Sequence, residues 1–138
     1  MSSESARRDS AVVCSVAPML SVRQGARAVE FYKSAFGAVE TFRVENASGE
    51  VVARLSVDGA EFWVSDESPE HANFSPESLG GSTSRIILTV ADPDVMFARA
   101  LAAGGRQVAA VEEAHGWRQG RMLDPFGHHW EIGRPLEP

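Results

Sequence analysis

The chain repeats itself at an offset of 68 residues: Leu20 falls on Leu88, Val22 on Val90, Val29 on Phe97, Gly37 on Gly105, Leu55 on Leu123 and Gly59 on Gly127. Apolar coincidences alone can arise by chance. Two glycines in phase, one at a helix stop and one at a hairpin turn, make two equivalent modules the economical reading. Each would present a curved open sheet with one helix on its outer face, and two such sheets side by side would enclose a cleft.

Each half carries the same succession of patterns. Val12–Val22 is rich in β-branched residues and reads as a strand, with Pro18 at a place where a backbone donor can be spared. From Gln24 to Phe36 the apolar residues Ala28, Val29, Tyr32, Ala35 and Phe36 recur at helical spacing, and Gly37 stops the run. Three strands follow, Val39–Val44, Val51–Val57 and Glu61–Ser65, the last two joined at Asp58-Gly59. Residues 66–83 are rich in Ser, Pro, Glu and Gly and read as a long linker or ligand flap. The second half begins with a strand at Arg85–Val90. It continues with a helix capped by Asp92-Pro93 whose apolar face is Val95, Phe97, Ala98, Leu101 and Ala102, ended by Gly104-Gly105. A strand at Gln107–Val111, a loop at Glu112–Trp117 and a closing hairpin from Gln119–Leu123 to His128–Ile132 complete it. The expected architecture is α+β, two β-α-β-β-β modules whose curved sheets surround a cleft. Residues 1–11 are expected to be a disordered tail, and residues 12–135 one domain: module one at 12–65, the linker at 66–83 and module two at 84–135.

A length of 138 residues suits a single domain, and 43% hydrophobic with 23% charged residues is ordinary for a globular one. With a net charge of −6 and Lys33 as the only lysine, a nucleic-acid partner is not expected. No apolar run approaches the length of a membrane span or a signal-peptide core, so the expected location is the cytoplasm. Cys14, the single cysteine, excludes an intrachain disulfide and a multi-thiolate metal site and reads as a small hydrophobe.

Four phrases carry a resemblance: Pro18-Met19-Leu20-Ser21-Val22; the helical stretch from Ala28 through Phe31-Tyr32 to Ala38; Ser78-Leu79-Gly80-Gly81; and Asp124-Pro125-Phe126-Gly127-His128-His129-Trp130-Glu131-Ile132. Together they resemble the vicinal oxygen chelate superfamily, the group of glyoxalases, bleomycin-resistance proteins and extradiol dioxygenases, and within it the PhnB-like branch. The phrases report helix packing and turn geometry more than chemistry. The resemblance implies a homodimer with the exposed sheet edges as the interface and, in metal-dependent members, four ligands from the first and last strands of each module. Carried over to this sequence, those positions are Ala17, Trp63, Arg85 and Glu131. Only Glu131 can ligate. One carboxylate and one guanidinium repel a divalent ion where two imidazoles with two carboxylates would hold it.

The expected cofactor is therefore none, with a divalent metal as the alternative, and Arg85 is expected to pair with Glu131 across the cleft, in the metal's electrostatic place. His71, His115 and His129 are the imidazoles from which a metal site could be rebuilt, although the first two read as surface loop residues. Phe31, Tyr32, Phe36 and Phe97 read as core. Trp63 and Trp130 stand one register apart on the repeat, so one should face the cleft, Trp63, and the other the helix. The expected ligand is a small molecule, planar or cationic, bound by Met19, Trp63, Arg85, Ile87, Trp117, Met122, His129 and Glu131, with Phe74 able to cap the cleft. The alternative is a lyase, isomerase or dioxygenase, metal-dependent or using Glu131 as general base.

Overall fold

The computed structural model describes residues 11–137, so the expected tail at 1–11 lies outside them but for Ala11. Two four-stranded mixed sheets form, one per module. The first contains β1 (Met19–Val22), β2 (Val39–Glu45), β3 (Val51–Val57) and β4 (Ala60–Asp66) in the order β1-β4-β3-β2. The second contains β5 (Arg85–Thr89), β6 (Arg106–Ala114), β7 (Trp117–Leu123) and β8 (His129–Pro135) in the order β5-β8-β7-β6. Helix α1 (Gly25–Phe36) crosses from β1 to β2, α2 (Pro76–Leu79) lies in the linker after a turn of 3-10 helix at Pro69–His71, and α3 (Pro93–Ala103) crosses from β5 to β6. Among the described residues no helix is long and apolar enough to cross a membrane.

The repeat is visible in the pairing itself. Parallel strands β1 and β4 match Met19 to Trp63, and β5 and β8 match Ile87 to Glu131, the same register at the 68-residue offset. The offset fails in β7. In module one Leu55 stands opposite Phe62, but in module two Met122 stands opposite Trp130, an offset of 67. The cause is the turn: β3 and β4 are joined by Asp58-Gly59 alone, whereas Leu123 pairs with His129 across a five-residue loop at 124–128. A slip of one residue turns every side chain of a strand to the opposite face. Met122, expected in the cleft, is instead fully buried toward the helix, where a Cβ on Gly105 would lie 2.6 Å from its sulfur.

Three other expectations are corrected. The first strand begins at Met19 and not at Val12: Val12 and Val16 are 78% and 97% exposed, and the ladder to β4 opens where the Pro18 carbonyl accepts from the Trp63 amide at 2.8 Å. Helix α3 buries Pro93, Phe97 and Ala100, with Met96 and Leu101 partly buried, while Val95, Ala98 and Ala102 point outward. The loop at Glu112–Trp117 shrinks to the turn His115-Gly116, because Glu112, Glu113 and Ala114 stay paired with Gln119, Arg118 and Trp117.

The two modules share one core. On α1, Ala28, Val29, Tyr32, Ala35 and Phe36 are all buried, and the rings of Tyr32 and Phe36 meet Trp130 of β8 at 5.4 and 4.6 Å between centroids. Phe62 of β4 meets the same indole at 5.3 Å. At the centre lies Asp124, 3% exposed. One carboxylate oxygen accepts from the Tyr32 hydroxyl and from Trp130 Nε1 at 2.9 Å, and the other from the backbone amides of Phe126 and His128 at 2.9 and 3.0 Å. Burial, and then the neighbouring Asp124 charge, push the Tyr32 phenol well above its usual pKa. His128 is buried, with its Nε2 2.9 Å from the Ser21 carbonyl on the edge of β1.

Removing the carboxylate in Asp124→Ala orphans four donors, and the expected loss is about 3 kcal/mol or more; Tyr32→Phe, which removes donor and hydroxyl together, costs about 1 kcal/mol. Urea unfolding of the two variants followed by circular dichroism checks the ordering.

Candidate functional site

On each sheet one face packs on its helix and the other is left open. Trp130 and Ile132 of β8 face the helix, whereas His129 and Glu131 point to the open side, as the alternation of the strand requires. Trp63 likewise faces away from α1, and the two tryptophans divide as the repeat implies. The open face of module one carries Met19, Phe42, Val44, Val52 and Trp63; that of module two carries Arg85, Ile87, Trp117, Arg121, His129 and Glu131. Of the expected ligand contacts only Met122 lies elsewhere.

The hollow over module one, about 460 Å³, is lined by Met19, Val44, Val52 and the turn at Asn46–Glu50, together with the start of the linker. The hollow over module two, about 280 Å³, is lined by Trp117, Gln119, Arg121 and Glu131 from β7 and β8 and by Ala109, Ala110 and Glu112 from β6. The two share no residue. The enclosed cleft expected from the sequence is thus two half-sites, each open to one side.

Arg85 and Glu131 form an ion pair at 3.0 Å, with Glu131 15% and Arg85 59% exposed by side chain. They sit on the adjacent strands β5 and β8, so the pair runs along one sheet face and does not bridge a cleft. Ala17 precedes β1 in an extended, exposed segment. The positions carried over from the metal-dependent pattern therefore hold one carboxylate already engaged by a guanidinium, an indole and a methyl group, which do not fit a divalent cation. Histidines do not repair the set. His71 is exposed and bonds Ser68, and His115 forms a turn at positive φ, 53°. Among the described residues no three His, Cys, Asp or Glu side chains converge.

Four features of the open faces escaped the sequence reading. Phe42 packs edge-on against Trp63 at 5.7 Å between centroids, and Arg54 lies 5.4 Å over the same ring. Arg121 and His129 are adjacent on module two, and each buries a nitrogen, Arg121 Nε and His129 Nδ1, that has no hydrogen-bond partner. Phe42, Arg54 and Arg121 lie on strands whose facing could be read from alternation, but the orphaned atoms depend on side-chain conformation. Phe74, 43% exposed, borders a separate depression with Met19, Leu79 and His128.

Residues 17–133 match the family described as glyoxalase-like domain. The chain belongs to that family. It is 41% identical over 126 residues to the uncharacterised protein Rv0887c of Mycobacterium tuberculosis, a match covering 88% of this chain and 74% of that one. The crystal structure of the Arabidopsis thaliana gene product At5g48480 superposes with a TM-score of 0.68 at 33% identity, covering 87% of this chain and 98% of the other. FosX, the fosfomycin resistance protein of Listeria monocytogenes, solved with Mn(II) and a sulfate ion, superposes with a TM-score of 0.67 at 13% identity over 91% and 94% of the two chains. A glyoxalase/bleomycin resistance protein/dioxygenase family enzyme from Burkholderia phytofirmans superposes with a TM-score of 0.65 at 19% identity over 86% and 95% of the two chains, and with FosX it shares this chain's vicinal oxygen chelate fold.

His129 has a measurable consequence. Burial first, and then the Arg121 guanidinium, lower its pKa below the usual imidazole value of about 6.5. Between the folded and unfolded values the unfolded chain binds more protons, so this residue's contribution to stability falls as pH drops through about 6.5. His129→Gln should flatten that dependence, read as the change in urea midpoint between pH 7.5 and 5.5.

Proposed function

We propose that the chain is a small-molecule binding protein of the bleomycin-resistance type, holding a planar ligand at its open sheet faces without a metal. The observation that carries this reading is the exposure of large apolar side chains on those faces. Met19 is 50% and Ile87 64% exposed, with Phe42, Val44 and Val52 also uncovered. A solvated sheet face ordinarily alternates to polar residues, and a contiguous apolar one marks a ligand or a partner. Trp63, with Phe42 against its edge, offers a stacking surface. Two open half-sites agree with a homodimer in which a second chain completes each hollow along the exposed sheet edges. The Phe31-Tyr32 and Ser78–Gly81 phrases support the PhnB-like branch, and cytoplasmic residence accords with the composition.

The competing reading is an enzyme in which Glu131 acts as general base and Arg85 stabilises an enolate. The ion pair beside an unpartnered imidazole favours it.

Elemental analysis of the purified protein should find less than about 0.1 equivalent of zinc, nickel, iron or manganese per chain, against the one equivalent a dedicated site retains. Light scattering should give twice the chain mass. Trp63→Ala should weaken a planar ligand about tenfold, as expected for a lost stacking surface with its apolar area. Glu131→Gln that keeps ligand affinity while abolishing turnover of any substrate would replace the binding reading with the enzymatic one.

A further inference from the structure

The third strand of each module carries an arginine at the same place on the open face: Arg54 stands opposite Trp63, and Arg121 opposite Glu131. In module one that guanidinium is fully engaged. Arg54 Nε lies 2.9 Å from Thr41 Oγ1 and 3.1 Å from Glu61, and the group covers the Trp63 ring. In module two nothing answers it. Glu131 is paired with Arg85, and among the described residues Arg121 has no carboxylate within salt-bridge distance, while its Nε is buried without an acceptor. His129 Nδ1, diagonally placed on the next strand, is buried and unpartnered in the same way. Arg106 stands opposite Leu123, which stands opposite His129, and so joins this face without a carboxylate of its own.

Buried polar atoms without partners cost free energy, Arg121 Nε is a donor that an oxygen would satisfy, and a guanidinium presents its donors in a fork that fits an oxyanion. Room exists for one: Arg121 rises from the floor of the hollow beside the short side chains of Ala109 and Ala110, with Trp117 at the rim. Glu112, also on that hollow, is exposed and pairs in register with Gln119, one step along the face toward Trp117. The hollow is lined by Glu112 and Glu131 as well as Arg121, but Glu131 is matched by Arg85 outside the lining, and Arg106 adds a further cation on the same sheet face.

We propose that this hollow is an anion subsite, in which Arg121, with His129 beside it on the same sheet face, receives the carboxylate or phospho group of an otherwise planar, apolar ligand. Its charge is thus opposite to that of the cationic guest suggested by overall composition. The proposal rests on the small-molecule reading above and adds the class of ligand.

Three probes of one skeleton test it by calorimetry at constant ionic strength: naphthalene-2-carboxylate, naphthalene-2-carboxamide and naphthalen-2-ylmethylammonium. The carboxylate should bind at least about tenfold more tightly than the amide. It should also shift the imidazole resonances of His129 where the amide does not. Arg121→Gln should bring carboxylate affinity down to that of the amide and leave the amide unchanged. Arg106→Gln, on an exposed position, should weaken the carboxylate several-fold and serves if the first variant does not fold. An amide or ammonium that binds as well as the carboxylate overturns the anion subsite and leaves the binding reading standing. An unchanged carboxylate affinity in the folded Arg121→Gln protein does the same. Failure of all three probes overturns both.

Discussion

The fold depends on a single buried carboxylate. Asp124 receives donors from Tyr32 on the first helix, from Trp130 on the last strand and from two amides of its own hairpin, so one side chain ties module one to module two and sets the turn that launches β8. A buried charge satisfied by four donors, several of them dipoles fixed by backbone or ring, is stable where a partly satisfied one would not be. The aromatic cluster around it has its positions set by the same bonds. Trp130 cannot turn without leaving the carboxylate, and it contacts Tyr32, Phe36 and Phe62 at once. His129 and Glu131, its neighbours in sequence, are therefore aimed at the open face by a bond made on the other side of the sheet.

The electrostatics of the open faces differ from those of the whole chain. Net charge is a sum over the surface and says little about one hollow. Glu131, which alone survives from the metal-binding pattern, is held by Arg85 at 3.0 Å, and this pair keeps the carboxylate compensated with no ion present. With that charge matched inside the protein, the neighbouring Arg121 lines the hollow over module two with a guanidinium that no side chain in the described structure neutralises.

Much of the architecture was legible from the repeat. The equivalence of the two modules, the burial of the first helix and the opposite facing of Trp63 and Trp130 follow from alternation and the 68-residue offset, whereas the parallel pairing of β1 with β4 and of β5 with β8 does not. The repeat misled where the two modules differ in turn length. Leu55 and Leu123 match as letters, but the longer loop at 124–128 moves the match to Met122, and a residue placed in the cleft belongs to the core. Val12–Val16 has strand-like composition and no strand beside it to pair with, which no local pattern reveals. The Arg85–Glu131 pair was readable because the resemblance, carried through the repeat, marks both positions, but it was expected across the cleft and lies along one sheet face. The orphaned nitrogens of Arg121 and His129 were not, since they depend on what every neighbouring side chain does with its own donors.

The slipped register of β7 also bears on how this protein could be engineered. A designer averaging the halves into one consensus repeat would align them on the offset that most of the chain obeys, and would then superimpose Arg121 on Ala53, a residue with no solvent exposure against the helix. The averaged sequence would press a guanidinium into the core of an otherwise plausible molecule. A symmetrised version of this fold has to begin by choosing one hairpin, the two-residue turn or the Asp124 loop, and to copy the strands from the module that owns it.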